Sequence, residues 1–191
     1  MSPPPPPEDR SRSSEDRKKR AAGVTLLVLD VDGVLTDGSI LLDEAGRELK
    51  RFNVRDGFGI KLWQRAGLHL ALVTGRGGPA LAARARELAI EHVREGVGDK
   101  AAAIRELAQG LGVAMESVGV MGDDWPDLPA MDVSGYAMCP GDADARVLAR
   151  SDWISTRPGG HGAVREAIEH LLSARGGLPE GPVDTRGLRS A

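Results

Sequence analysis

The segment Thr25–Leu29 is a continuous apolar run that stops at two carboxylates, Asp30 and Asp32, with Gly33 beside them. A strand with one wet face alternates polar and apolar residues. A run with no polar position suits a strand covered on both sides, as in a parallel sheet between helices. That placement confines the chain to few architectures, and it puts two charges at the end of a buried strand.

The remaining pattern fits the same frame. Further buried strands are expected at His69–Val73, His92–Arg94, Ser117–Met121, Tyr136–Met138 and Trp153–Ser155. Helices are expected at Gly59–Ala66, Pro79–Ala89, Lys100–Leu111, Leu128–Met131, Ala143–Ala149 and Ala163–Leu172. Pro79 suits a first turn, and Asp99 suits the cap before Lys100. Strand and helix alternate, which predicts an α/β, Rossmann-like three-layer sandwich with a mostly parallel sheet. Ser39–Leu42 and Glu48–Val54 flank Asp43-Glu44-Ala45-Gly46, a turn signal, and predict a protruding β-hairpin. No insertion is large enough for a separate cap domain.

The ends differ in composition. Residues 1–22 begin with a polyproline run and continue with six basic and four acidic residues without apolar periodicity, so a disordered tail is expected. Gly176, Gly177, Pro179, Gly181 and Pro182 break any helix over 176–191, a flexible tail. The folded domain is expected over 23–175. A net charge of −3 gives no basic field for nucleic acid and no polybasic membrane anchor. No apolar run reaches the ~18 residues of a membrane helix. The N-terminus lacks the pattern of a secretory signal. A single cysteine, Cys139, excludes an intrachain disulfide and a thiolate zinc cluster. A cytoplasmic protein is therefore expected.

Sheets of this kind bind ligands at the carboxyl ends of their strands, and polar groups collect there. Asp30 and Asp32 form either a magnesium site or a polar turn. Burying two bare carboxylates is costly unless a cation pairs them, and hard oxygen donors suit Mg²⁺. Thr74-Gly75-Arg76-Gly77-Gly78 offers a hydroxyl and free amides before a helix, which fits phosphate or an ordinary loop. Lys100 opens a helix, where a cation is disfavoured unless something anionic lies nearby. Asp123 and Asp124, with Asp127 close behind, bring more carboxylates to a strand end. One of them completes a metal shell, or Asp124 or Asp127 caps a helix or orients a neighbour. His69, His92 and His170 have no metal spacing. Trp63 and Trp153 read as packing residues, whereas Trp125 directly follows the acid pair.

An acid pair, a hydroxyl, a lysine and a second acid group thus follow one another at successive strand ends. The order resembles the haloacid dehalogenase superfamily of phosphotransferases, across Val24 to about Leu172. DVDGVLTDG (Asp30–Gly38), FNVRDGFGI (Phe52–Ile60), VTGR (Val73–Arg76), GDDWPDLPAM (Gly122–Met131) and GGHGAVRE (Gly159–Glu166) are similar to the 3-deoxy-D-manno-octulosonate 8-phosphate phosphatase family.

The resemblance implies roles. Asp30 is the expected nucleophile and Asp32 the general acid and base. Thr74, Gly75 and Lys100 are expected to hold the phosphoryl group. Mg²⁺ is expected on Asp30, the carbonyl of Asp32, and Asp123. Asp32, Asn53, Arg55, Gly57, Lys61, Arg76, Arg84 and Lys100 are the implied substrate contacts. Lys61 departs from the family's arginine, and His161 stands where relatives often carry another polar or basic residue. The implied substrate is a small sugar phosphate, with neither nucleic acid nor membrane as partner. The implied assembly is a homotetramer joined through the hairpin, whose Ile40, Leu42, Leu49, Phe52 and Val54 alternate. A phosphatase for a nine-carbon sugar acid phosphate, or a non-catalytic assembly module that retains the fold, are the alternatives.

Overall fold

A computed structural model describes residues 13–177; the expectations for 1–12 and 178–191 lie outside the described residues. The main sheet has six parallel strands: β1 (Leu26–Leu29), β4 (His69–Val73), β5 (His92–Arg94), β6 (Val118–Met121), β7 (Tyr136–Cys139) and β8 (Trp153–Ile154). Their spatial order is β5-β4-β1-β6-β7-β8. The order reverses at β1, so a crevice opens beyond the ends of β1, β4 and β6.

Both sides of β1 are packed, as its composition requires. Leu27 and Leu29 join one core with Ile60, Trp63, Leu81, Ile168 and Leu171. Leu26 and Val28 join the other with Ile104, Leu107, Met131 and Val147. The first layer holds α2 (Val54–Arg65), α3 (Pro79–Glu87) and α7 (Ala163–Ala174). The second holds α4 (Lys100–Gly110), α5 (Leu128–Val133) and α6 (Ala145–Arg150).

Helix α2 starts five residues earlier than expected. Gly57 and Gly59 lower its helical propensity, and this hid its first turn. The helix is fixed instead by its surroundings. The Asn53 side chain accepts from the Arg55 amide at 2.8 Å. A Cβ at Gly59 would lie 3.1 Å from Arg165 Cα, so the bare residue permits close contact with α7. The hairpin is accordingly shorter than expected: β2 (Leu41–Leu42) pairs antiparallel with β3 (Glu48–Leu49). Asp43 Oδ1 accepts from the amides of Ala45 and Arg47, and Gly46 takes φ +72°, which closes the turn. Ile40, Leu41, Leu42, Leu49 and Val54 are exposed, while Phe52 packs against the core.

The expectation of a structureless segment over 1–22 is corrected in its described part. Ser14–Gly23 forms helix α1, capped by Ser13, whose Oγ accepts from the Asp16 amide. Most of this helix is charged, so its sequence shows no buried face. It is held by a few tertiary contacts. Ala21 is fully buried. Arg20 pairs with Asp152 at 2.7 Å, and Arg175 Nη1 donates to the carbonyls of Ala22 and Val24.

Candidate active site

Four side chains, Asp30, Lys100, Asp123 and Asp127, meet beyond the carboxyl edge of the sheet. Asp30 follows β1 directly, and its amide donates to the Met121 carbonyl at 3.0 Å, which ties it to β6. Lys100 opens α4 behind Asp99, whose side chain accepts from the Ala102 amide. The Lys100 ammonium lies 2.8 Å from Asp30 Oδ1 and 2.6 Å from Asp127 Oδ1. Asp127 Oδ2 accepts from the amides of Asp123 and Asp124 at 3.0 and 3.2 Å. Both Asp127 oxygens are thereby engaged, so this residue positions Lys100 and the Asp123 loop.

Glycines make room for the cluster. Gly33 has φ +91°, and a Cβ there would fall 2.0 Å from Asp123 Oδ2. A Cβ at Gly122 would fall 2.3 Å from Asp127 Cβ. The Asp123 carboxylate therefore rests on bare backbone of the Asp30 loop.

The electrostatics call for a cation. Three carboxylates (Asp30, Asp123, Asp127) bring oxygens within 4.8 Å of one another beside one ammonium, which leaves an imbalance of two negative charges when all three are ionised. Burial, then the neighbouring Asp127, pushes the Asp30 carboxyl up to about 6, against the pull of Lys100. Burial, then Asp127 and Asp30, pushes Asp123 up to about 8. Burial disfavours the Lys100 ammonium, yet the two facing carboxylates raise its pKa above the ordinary lysine value. Asp123 Oδ1 is buried without a hydrogen-bond partner. A divalent ion with hard oxygen preference fits this donor set and charge.

Thr74 follows β4 and is 1% exposed. Its Oγ1 accepts from the Arg76 amide at 3.1 Å. Asp32 faces the hairpin: Lys50 Nζ donates to its Oδ1, and Arg76 Nε lies 3.9 Å from its Oδ2. Other expected residues form a separate knot. Arg84 Nη2 donates to the Asn53 carbonyl at 3.2 Å and lies where a Gly57 Cβ would be. No hydrogen bond joins this knot to the Asp30 cluster among the described residues. Arg55 is exposed on a cleft of about 410 Å³ shared with Arg157 and Arg165. Lys61 is half-buried one turn beyond Gly57 and has no ion pair among the described residues.

Two contributors carry no signal along the chain. Lys50 sits on the hairpin, where nothing in the ribbon pattern distinguishes it from a surface lysine. Asp56 is 1% exposed and accepts from the amides of Gly162 and Arg165 at 3.2 and 2.8 Å. It is an α2 residue that caps α7. With Asn53 Nδ2 donating to the Gly160 carbonyl, it clamps FNVRDGFGI to GGHGAVRE. That glycine-rich loop in turn seats on the Asp30 loop, where a Cβ at Gly159 would lie 1.8 Å from the Gly33 carbonyl. Among the described residues His161 bonds within its own loop, Nδ1 to the Gly159 carbonyl.

The comparisons with known proteins identify the family. Residues 82–168 match the family model of haloacid dehalogenase-like hydrolases. The 3-deoxy-D-manno-octulosonate 8-phosphate phosphatase of Escherichia coli K12 is 41% identical over 160 residues, covering 84% of this chain and 85% of that protein. The chain belongs to the 3-deoxy-D-manno-octulosonate 8-phosphate phosphatase family. The member from Yersinia pestis superposes with a TM-score of 0.84 at 40% identity, covering 86% of this chain and 89% of the other. The family structure from Moraxella catarrhalis, which holds a magnesium ion, a phosphate ion and a KDO molecule, superposes with a TM-score of 0.83 at 36% identity, covering 86% and 94%. Among the described residues no helix is long and apolar enough to cross a membrane.

Proposed function

We propose that this chain is a magnesium-dependent phosphatase that hydrolyses 3-deoxy-D-manno-octulosonate 8-phosphate to the free sugar acid and phosphate, supplying a lipopolysaccharide precursor in the cytoplasm. The observation that carries this is the Asp30–Lys100–Asp127 arrangement beside Asp123, a pocket that is two positive charges short of neutrality with its carboxylates ionised. Asp30, Asp123 and the Asp32 carbonyl would hold Mg²⁺, which screens the repulsion between an anionic nucleophile and an anionic ester.

The chain's own groups carry the two half-reactions. An Asp30 carboxylate oxygen attacks phosphorus. The bond from phosphorus to the sugar oxygen breaks, its electron pair stays on that oxygen, and Asp32 delivers a proton to it. Water then attacks the aspartyl-phosphate while Asp32 takes up a proton. The Asp30–phosphorus bond breaks, the carboxylate returns and phosphate leaves. Thr74, the Gly75 amide and Lys100 hold the phosphoryl oxygens, and positioning of this kind supplies most of the catalysis. Asn53, Arg55, Gly57, Lys61, Arg76 and Arg84 are assigned to the sugar acid, whose carboxylate suits arginine forks. The exposed hairpin residues Ile40, Leu41, Leu42 and Leu49 support a homotetramer, which light scattering tests.

Phosphate release from a panel of eight- and nine-carbon sugar acid phosphates, with and without EDTA, tests the reading. The eight-carbon ester should be preferred, and both chelator and Asp30→Asn should stop release. Preference for the nine-carbon ester reassigns the substrate. No magnesium-dependent release from any ester leaves an assembly module as the reading.

A further inference from the structure

Outside the Asp30 cluster, the most deeply buried ammonium paired to a site residue belongs to the hairpin. The Lys50 side chain is 3% exposed, less than the 7% of Lys100. Lysine is almost never buried so far unless paired, and the pairing here is directed. Lys50 Nζ donates to Asp32 Oδ1 and lies 3.2 Å from Glu48 Oε1. Glu48 Oε1 in turn accepts from Arg76 Nη2 at 3.3 Å. Among the described residues the two hairpin strands pair with each other and not with the main sheet. Side-chain ion pairs therefore do much of the tethering: Lys50 to Asp32, Arg76 to Glu48, and Arg51 to Asp37. Asp32 Oδ1 is thus hydrogen-bonded, whereas Oδ2, with Arg76 Nε 3.9 Å away, is buried without a hydrogen-bond partner.

We propose that Lys50 is the positioning residue for the proton-transferring carboxylate: by anchoring Asp32 Oδ1 it aims Oδ2 at the ester oxygen, with Glu48 of the hairpin bracing the lysine and Arg76, from the loop after β4, holding Glu48. This rests on the assignment of Asp32 as general acid and base. In the first half-reaction the phosphorus–oxygen bond breaks and the proton on Asp32 passes to the departing sugar oxygen; Lys50 exchanges nothing and fixes the geometry. A free carboxylate can rotate about its χ2, a broad torsion, so loss of the anchor spreads Oδ2 over unproductive positions.

The test compares leaving groups by rapid quench in the magnesium-loaded full chain. A sugar alkoxide needs a proton to depart, whereas p-nitrophenolate leaves unaided. In Lys50→Met the single-turnover rate with 3-deoxy-D-manno-octulosonate 8-phosphate should fall about ten- to a hundredfold, part of the ~10²–10⁴ that general acid catalysis supplies. The first burst of p-nitrophenol from p-nitrophenyl phosphate should stay within about threefold of wild type. Glu48→Gln, a milder change on the exposed hairpin, should shift the ratio of the two rates in the same direction by less. Equal losses on both esters in Lys50→Met would show a merely structural lysine and overturn the proposal, as would no loss on either. Asp32→Asn is run beside them: full turnover of the sugar ester there defeats the Asp32 assignment itself, a result distinct from a failure of Lys50.

Discussion

Replacing Lys100 by Met keeps most of the aliphatic stem and removes the single cation from the Asp30–Asp127 pair. Breaking one side of a buried ion pair costs about 3–5 kcal/mol when the partner charge is stranded. Here the partner has an escape, because Asp30 can take up a proton. Its carboxyl already stands at about 6 with Lys100 beside it, and loss of the ammonium raises it further. Neutralising a group of pKa about 6 at pH 8 costs at most about 2.7 kcal/mol. The stability lost at pH 8 in EDTA is therefore expected at about 2–3 kcal/mol, or roughly 5–10 °C in Tm. The sign with pH follows from proton binding. In the variant the folded chain holds a proton on Asp30 that the unfolded chain, with its carboxyl near ~4, has released, so stability rises as pH falls. At pH 5.5 the difference from wild type should shrink below about 1 kcal/mol. Urea titrations of both proteins at the two pH values measure this. An equal deficit at both pH values would refute the charge argument and leave only packing. Activity should fall by at least about 10²–10³, as when a comparable charge-stabilising donor is lost.

Three further outcomes follow from the same geometry. Gly33→Ala must abandon φ +91° or displace Asp123, whose Oδ2 lies 2.0 Å from the new Cβ, so magnesium binding by calorimetry should weaken at least about tenfold, with a stability cost of about 1–3 kcal/mol; unchanged magnesium affinity contradicts the packing. Because burial and its anionic neighbours hold Asp123 near 8 in the metal-free site, Mg²⁺ binding at pH 7 should release about one proton and strengthen from pH 6 to 8; calorimetry in buffers of different ionisation enthalpy reads this, and zero proton release contradicts it. Arg20→Ala removes the 2.7 Å ion pair between α1 and Asp152 and should cost about 1–3 kcal/mol, with faster hydrogen exchange confined to α1 and the adjoining face of α7; uniform exchange across the domain would show that α1 does not dock as a unit.

The chain itself determined the layered architecture and the edge of the sheet at which its polar groups collect. Val28 and Leu29 have no polar neighbour in their strand, so helices must cover both faces, and Asp30, Thr74, Lys100 and Asp123 then fall at one edge by the direction of parallel strands alone. These are local or one-dimensional facts, set by periodicity and by which residue follows each run. Only the tertiary structure decided which charges face each other. Asp127 is three residues from Asp124 and reads equally well as a cap or a ligand; only with Lys100 seated against it do both of its oxygens become engaged. Helix α2 carries two glycines that local propensity counts against it, and close contact with Arg165 of α7 outweighs that deficit. Helix α1 has no amphipathic pattern, because one buried alanine and two arginines bonding across to other elements hold it. Lys50, at the end of the hairpin, is 18 residues from Asp32, and no pattern along the chain encodes the distance between their side chains. Pairings of this kind depend on where distant segments are brought in space, and desolvation then fixes which of the possible pairs must form.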